Sequence, residues 1–366
     1  MRMNPVQVSY VIESLAAGGA ERMLLRQIRH SPRNPTVYTF GGAMDLKEEY
    51  RKEGARIVNL SKGSGGSWSL LYRLRQQLNA EEPDIVHSHL PTAHVLSRLA
   101  TRSTDVKAVV STHHSISNNF LDQSKAEKFE IITRPLSSVN IAISRAVKHS
   151  RKLSCFPTNW KILYHGIDVG NFNKNVIQGR NDNRTRDYPV FLNVGRYIDE
   201  KSQKDIIKAM PKVLEEFKNA TAIIVGWGEL EDDLRELSND VGVSENVQIT
   251  GKSLDIHTHY ANADVFVMSS LNEGFGIVLL EAMAARLPIV GTNTSSIPEI
   301  VNSEFGILVP PNSANDLADA MISMAKSDTW LKGKKAHQFA RDRFSIERMV
   351  EKHEEVYRIV YNSART

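Results

Sequence analysis

The 366-residue chain contains one cysteine, Cys155, so an intramolecular disulfide framework is excluded. Cys155 lies between Ser154 and Phe156 with no base or metal partner near it in sequence. It reads as an inert thiol in a reducing compartment. Long apolar runs are missing as well. The first, Val6 to Ile12, is broken by Gln7 and Ser9 and stopped by Glu13, which makes it strand-sized rather than an export or membrane segment. No Walker A pattern occurs. The nearest approach to a G-x-G-x-x-G fingerprint, Gly226-Trp227-Gly228-Glu229, has Glu231 where the third glycine belongs. These absences argue against P-loop and dinucleotide-dependent chemistry. Low-complexity tracts and solenoid repeats are absent. The basic clusters lack the interleaved aromatics of a nucleic-acid module, so no nucleic-acid partner is expected.

What is present suits a soluble α/β protein. Hydrophobic residues make up 41% and charged residues 24%, and the length allows two domains with full cores. The net charge of +4 conceals an asymmetry. Residues 1–175 carry 24 Lys and Arg against 14 Asp and Glu, whereas the remainder carries 22 against 28. The basic first half includes Arg22, Arg26, Arg29 and Arg33, and then Arg145, Lys148, Arg151 and Lys152. Such a bias suits an anionic membrane surface or a phosphate-bearing acceptor, and equally a set of solvated helix faces.

Short β-rich runs alternate with amphipathic segments along the first half. Strands are expected at Val6–Ile12, Thr36–Phe40, Arg56–Leu60, Asp84–Ser88, Lys107–Thr112, Val139–Ile143 and Lys161–Tyr164. Helices are expected at Ala20–His30, Trp68–Ala80, Ala93–Arg102 and Arg145–Leu153. This alternation means βαβ units and a parallel sheet. From Gly166 to Tyr188 the pattern breaks into Asn, Asp, Arg and Gly, which reads as an exposed linker. A second series of strands follows at Val190–Val194, Ala222–Val225, Val247–Thr250, Asp264–Met268, Pro288–Gly291 and Gly306–Val309. The last segment, Ser345–Tyr361, puts Met349, Val350, His353, Val356, Tyr357 and Val360 on one helical stripe. Two doubly wound domains imply a ligand cleft between them.

Four constellations carry chemistry. Asn272-Glu273-Gly274-Phe275-Gly276-Ile277-Val278-Leu279-Leu280-Glu281 places two carboxylates around a glycine-rich turn at the end of a strand. The turn opens into a helix whose first N–H groups form an anion seat, with Gly274 and Gly276 leaving room for close approach. Glu273 and Glu281 suit a ligand with hydroxyls to grip; the plainer reading is a surface glutamate at a helix start and a second facing solvent. Val194-Gly195-Arg196 is followed by Lys201, two cations able to clamp a diphosphate. Gly18-Gly19 follows the first strand and opens the first helix, a second position for negative charge. Finally, His87 and His89 end one strand and His113-His114 another. No carboxylate or cysteine completes a metal set beside them, so a hydrogen-bonding role toward a sugar hydroxyl is favoured over metal ligation.

Together these residues resemble the retaining nucleotide-sugar glycosyltransferases of family 4, over nearly the whole chain. The family's Glu-x7-Glu signature is met by Glu273 and Glu281, its glycine-rich first loop by Gly18-Gly19, and its phosphate-clamping pair by Arg196 and Lys201. Ser202 stands where glycine usually follows that lysine, and His165-Gly166-Ile167-Asp168 stands where Asn-Gly-(Val/Ile)-Asp is frequent. Pro288-Ile289-Val290-Gly291-Thr292, Ile297-Pro298-Glu299-Ile300-Val301 and Gly306-Ile307-Leu308-Val309-Pro310 also resemble the family. Ser111-Thr112-His113-His114 occupies the place of its sugar-facing histidine, with His114 taken as the match and His113 one register away.

The resemblance implies a GT-B fold of two facing Rossmann-like, doubly wound domains. The N-terminal acceptor-binding domain is expected over residues 1–170 and the nucleotide-sugar-binding domain over 171–344. Residues 345–366 would form a helix crossing back onto the first domain. It implies metal-independent transfer of a sugar from a UDP- or GDP-sugar to a hydroxyl of a glycan or lipid-linked acceptor, with the anomeric configuration retained. Arg196, Lys201 and the Gly19 helix start would stabilise the leaving diphosphate. Glu281 would hold the ribose, Glu273 the sugar, and backbone N–H groups of Phe275 through Val278 the sugar or phosphate. His114 would position the donor sugar. A cytoplasmic location at the inner face of the membrane is expected. The rivals are a nucleotide-sugar 2-epimerase of the same architecture and a non-catalytic sugar-nucleotide-binding subunit.

Overall fold

The computed structural model describes residues 6–61, 66–116, 124–151, 158–179, 188–253 and 255–365. The chain divides into two compact units, Met1–His165 with Ile346–Thr366, and Gly166–Ser345.

The first unit is built on seven parallel strands: β1 (Val8–Ile12), β2 (Thr36–Thr39), β3 (Arg56–Asn59), β4 (Ile85–His89), β5 (Ala108–His113), β6 (Val139–Ala142) and β7 (Trp160–Ile162). Their order is β3-β2-β1-β4-β5-β6-β7. Every residue of β1, β4 and β5 is buried, as expected of parallel strands covered on both faces. The two-residue period of a strand sorts the core accordingly. Tyr10 and Ile12 join the cluster that includes Leu24, Ile28, Val356 and Tyr357, while Val11 joins Leu74, Leu78 and Leu96 in another.

The second unit has six parallel strands: β8 (Val190–Val194), β9 (Thr221–Val225), β10 (Val247–Thr250), β11 (Val265–Met268), β12 (Ile289–Thr292) and β13 (Gly306–Val309). Their order is β10-β9-β8-β11-β12-β13. Both sheets therefore reverse direction of growth once, between β1 and β4 in the first unit and between β8 and β11 in the second. Ligands of open α/β sheets bind outside the strand carboxyl ends at such switch points. All four candidate constellations follow strands that flank these positions or lie one strand away.

The expected linker is different in the structure. Residues Val169–Gln178 form a helix, capped by Asp168, whose side chain accepts from Asn171 N at 2.9 Å. Val169, Phe172 and Val176 bury one stripe, and Phe172 meets the Tyr260 ring edge-on with centroids 5.4 Å apart. Three apolar residues among polar neighbours are enough when they share a helix face. Because this helix packs into the second unit, the division falls at Gly166 and not after residue 170. Entry and exit of that unit run side by side, with Ile167 N donating to Phe344 O at 2.9 Å. Of the expected helix at 145–153, Arg145–Ser150 is helical. Leu153 and Cys155, like residues 180–187 of the expected linker, lie outside the described residues.

The C-terminal helix, Ile346–Ser363, belongs to the first unit and buries the stripe read from the sequence. Tyr357 hydroxyl meets Tyr10 hydroxyl at 3.2 Å, receives Gln27 Nε2 at 3.0 Å and lies 2.7 Å from His87 Nδ1. Arg33 pairs with Glu354 on the same helix. Among the described residues no helix is long and apolar enough to cross a membrane.

Candidate active site

In the second unit, β11 delivers the chain into the turn Ser269–Gly276. Gly276 has φ +83°, and a Cβ there would stand 3.2–3.4 Å from Leu279 Cδ1, Glu273 Cγ and Met268 Cε. The left-handed backbone favours glycine, and a Cβ would also press on these three side chains. Helix Ile277–Ala284 then begins without a side-chain cap. Its start presents backbone N–H groups, the arrangement that accepts an anion. Hydroxyls from the last residue of β12 and the segment after it lace the turn in place. Thr292 donates to Ser270 O at 2.6 Å, Thr294 to Leu271 O at 3.2 Å, and Ser296 to Glu273 O at 2.9 Å. This Thr-Asn-Thr-Ser-Ser run was not picked out by sequence reasoning; its density of hydroxyls directly after a buried strand was the available signal.

Across the switch point, β8 delivers Gly195 and Arg196. Arg196 is exposed, with no carboxylate partner among the described residues. Its backbone is fixed from below. Tyr197 is fully buried, its hydroxyl donating to Ile224 O at 2.9 Å, and its N–H donates to Trp227 O at 2.8 Å. The glycines of the Gly226-Trp227-Gly228 turn explain themselves here. A Cβ on Gly226 would lie 1.8 Å from Gly195 O, and one on Gly228 would lie 2.3 Å from Tyr197 O. They permit backbone to pass backbone; no dinucleotide fingerprint is involved.

Lys201 ends the same loop and forms an ion pair with Glu273, the two side chains being 21% and 14% exposed. Two further bonds join loop and turn. Leu271 N donates to Glu200 O at 2.8 Å, and Ser269 Oγ to Lys201 O at 2.9 Å. Ser202 has φ +45° and ψ +43°, a left-handed backbone that explains why glycine is usual after this lysine. Its hydroxyl offsets part of that strain by donating to Asp205 Oδ2 at 2.9 Å. Glu281 lies half-buried on helix Ile277–Ala284 and accepts from Tyr260 hydroxyl at 3.2 Å. The side chain of Phe275 is buried against Phe344, rings edge-on at 6.0 Å. Gly274, Ile277 and Val278 are half-buried around it. The structure thus brings Arg196, Lys201, Gly274 through Val278, Glu273 and Glu281 together on one sheet end.

The first unit holds the other candidates. Gly18 caps helix Gly19–His30, and Gly19 faces open space. The anion seat expected at this helix start is filled by the protein itself. The buried Glu21 carboxylate curls over it, so close to Gly18 that a Cβ there would lie 2.5 Å from Oε2. Burial pushes the Glu21 carboxyl up, against the lowering effect of its own backbone N–H and Ser14. A diphosphate must displace this carboxylate to reach the helix.

The histidine doublet separates into two environments. His113, in β5, turns to the interior: Nε2 lies 3.2 Å from Asn140 Oδ1, and its ring is 5.0 Å from that of Trp160. Behind it is a buried charge cluster. Glu130 takes Arg98 at 3.1 Å and Arg134 at 2.6 Å, with Arg151 at 3.5 Å, all nearly inaccessible. Burial alone would raise the Glu130 carboxyl, but His113, Arg134 and Arg98 hold it well below the usual carboxylate range. His114, one residue past the strand, instead joins a stack of imidazoles. His353, His87, His89, His114 and His165 follow one another at centroid spacings of 5.9, 4.4, 5.1 and 5.4 Å. Burial pushes His87, His89, His114 and His165 well below the ordinary histidine value and lowers His353 as well. Sequence reasoning noticed the strand-end histidines but not their convergence with His165 and His353. Among the described residues, no three His, Cys, Asp or Glu side chains converge as metal ligands.

Two doubly wound units with these switch-point constellations define a GT-B protein. The structure of Anabaena HepE in complex with UDP superposes with a TM-score of 0.84 at 20% identity, covering 96% of this chain and 99% of that one. The model for Glycosyltransferase Family 4 matches residues 17–171, and that for Glycosyl transferases group 1 matches residues 178–343. The chain belongs to the family 4 glycosyltransferases. It is 31% identical over 258 residues to an uncharacterized glycosyltransferase of Methanocaldococcus jannaschii, 66% of either chain. It is 32% identical over 151 residues to a GDP-mannose-dependent alpha-(1-6)-phosphatidylinositol monomannoside mannosyltransferase of Mycobacterium tuberculosis, 38% of this chain and 39% of that one. The matches thus span about two thirds or less of the length of these relatives.

Proposed function

We propose that the protein transfers a hexosyl group from a nucleoside-diphosphate sugar to an acceptor hydroxyl, with the anomeric configuration retained and no metal required. The observation that carries this reading is the joining of the Arg196–Lys201 loop to the Glu273 turn across the β8/β11 switch point. Arg196 and Lys201 neutralise charge developing on the leaving diphosphate, with the N–H groups of Phe275 through Val278 beside them. Glu281, held by Tyr260, takes the ribose hydroxyls, and Glu273 the sugar. In the first unit, His114 is assigned to the transferred sugar, and Gly18-Gly19 to the donor once Glu21 has moved. The relatives' names leave the base open, since one uses GDP-mannose and one solved structure carries UDP.

A lipid-linked or glycan acceptor is supported by the mycobacterial relative's phosphatidylinositol-based acceptor and by one surface of the first unit. Helix Lys125–Thr133 aligns Lys125, Lys128, Phe129 and Ile132 at helical spacing, with Phe129 and Ile132 59% and 69% exposed. Two ammonium groups beside two apolar side chains suit an anionic lipid surface. Co-sedimentation should favour anionic over neutral vesicles and weaken in a Lys125→Glu, Lys128→Glu protein. Equal binding by both proteins would remove the membrane assignment.

The experiment for the reaction is incubation with UDP-, GDP- and ADP-sugars and a mixed lipid and oligosaccharide acceptor pool, with and without EDTA. Acceptor-dependent release of one nucleoside diphosphate, unaffected by EDTA, supports transfer, and NMR of the product reads its anomeric configuration. Acceptor-independent conversion of the sugar nucleotide would support an epimerase instead.

A further inference from the structure

We infer that His89 is a positioning residue for His114, fixing its ring and setting which of its nitrogens carries the proton. The inference rests on the assignment of His114 to the transferred sugar and adds the residue that prepares it.

Parallel pairing of β4 with β5 sets His89 opposite Thr112, so the end of one strand lies beside the start of the His113-His114 segment. There His89 Nδ1 and His114 Nε2 stand 2.8 Å apart, a hydrogen bond between two imidazoles. His87 stacks behind His89 at 4.4 Å and His165 against His114 at 5.4 Å, so neither ring is free to turn. The two outer nitrogens, His89 Nε2 and His114 Nδ1, are buried and have no hydrogen-bond partner among the described residues.

Neutral imidazoles joined this way share one N–H, and only two arrangements exist. In one, His89 Nδ1–H donates to His114 Nε2, leaving a bare lone pair on His89 Nε2 and a proton on His114 Nδ1. In the other, His114 Nε2–H donates to His89 Nδ1, leaving an unpaired N–H on His89 Nε2. Both rings stay neutral because burial disfavours the charged form. His87, His114, His353 and His165 add to this at His89, as do His353 and Arg151 at His114. Unpaired buried N–H groups are rarer than unpaired acceptors. Both outer nitrogens are buried, and His114 is the ring assigned to the sugar, so an incoming hydroxyl can pair an N–H on His114 Nδ1 but not one on His89 Nε2. The first arrangement follows: His114 presents Nδ1–H, a donor suited to the oxygen of a sugar hydroxyl. Glu130, Arg98 and Arg134 face His113, and of that cluster Arg151 also acts on His114, where it disfavours the charged ring.

The test is nitrogen-15 NMR of the histidine-labelled full chain. The parent is expected to show His114 protonated at Nδ1 and accepting at Nε2, and a His89→Phe protein to show that tautomer reversed or mixed. A parent spectrum with the proton on Nε2 overturns the inference, as does an unchanged tautomer in folded His89→Phe. In transfer assays, His89→Phe should lower kcat about 10- to 100-fold, the range seen when a metal-bound histidine loses its outer partner. The donor KM should move by less than about twofold. His89→Asn, whose amide reaches the position of Nδ1, should recover part of the loss, and it carries the test if His89→Phe does not fold. Unaltered kcat in His89→Phe contradicts the inference. Full turnover in His114→Ala with the predicted tautomers in the parent would instead remove the sugar assignment of His114 and leave its coupling to His89 standing.

Discussion

Lys201 is ion-paired to Glu273, one from the loop after β8 and the other from the turn after β11. The pair closes the switch point of the second sheet and joins the two groups assigned to the donor's diphosphate and to its sugar. It also means that a diphosphate competes with Glu273 for the lysine.

That competition gives a signed prediction. Glu273→Gln removes the competing charge, so UDP or GDP without its sugar should bind more tightly, by up to about fivefold for a pair worth ~1 kcal/mol. Turnover of the full donor should fall in the same protein because the sugar loses its carboxylate. Calorimetry with the free diphosphate and a transfer assay with the sugar nucleotide separate the effects. Weaker binding of the free diphosphate would show that Glu273 does not restrain Lys201.

Ser202 occupies a left-handed position where the family usually has glycine. Ser202→Gly relieves backbone strain and loses the bond to Asp205, two effects each of about 1 kcal/mol, so stability should change little. Ser202→Val keeps the strain, adds β-branching and loses the bond, and should unfold at distinctly lower denaturant. Equal midpoints for the valine and glycine proteins would contradict the left-handed assignment.

The buried histidines set a pH dependence. For His87, His89, His94, His113, His114 and His165 the folded value lies below the ordinary 6.5, reaching about 3 at His114. Stability is therefore complete above about pH 6.5. Below it the unfolded chain takes up protons that the folded chain refuses, and stability falls by up to ~1.4 kcal/mol per histidine per pH unit. For His114 the loss continues down to about pH 3. Urea midpoints should decline steeply from pH 6.5 to 5 and level off above 7. A flat profile across that range would mean that the rings are not buried as described.

Much of this was legible in the sequence because parallel strands buried on both faces announce themselves as continuous apolar runs. Glu273, Glu281, Arg196 and Lys201 were visible because each follows such a run. The helix Val169–Gln178 was not, since Val169, Phe172 and Val176 are sparse among polar residues and only their spacing betrays them. The carboxylate of Glu21 over its own helix start was hidden for a different reason. An acidic residue in a first turn is ordinary, and only its rotamer shows that it occupies the anion position. The histidine stack needed three-dimensional convergence of β4, β5, the chain after β7 and the C-terminal helix. No local pattern encodes that.

The glycine turn beneath Arg196 tests whether that loop is positioned by backbone contact. In Gly226→Ala the new methyl would collide with Gly195 O, so the loop must shift. Stability should fall by about 1–3 kcal/mol, and affinity for the nucleotide should fall with it. Parent-like affinity would show that the loop does not depend on this contact.

The most direct test of the donor site is Arg196→Ala. Its side chain is exposed, so the ligand-free protein should melt as the parent does. Sugar transfer should fall by roughly 100-fold or more, as for loss of one preorganised charge-stabilising donor. The melting shift given to the parent by its nucleotide, about 2.7 kcal/mol at a hundredfold the dissociation constant, should shrink. Near-parent transfer by a folded Arg196→Ala protein would contradict the assignment of the β8 loop to the donor diphosphate.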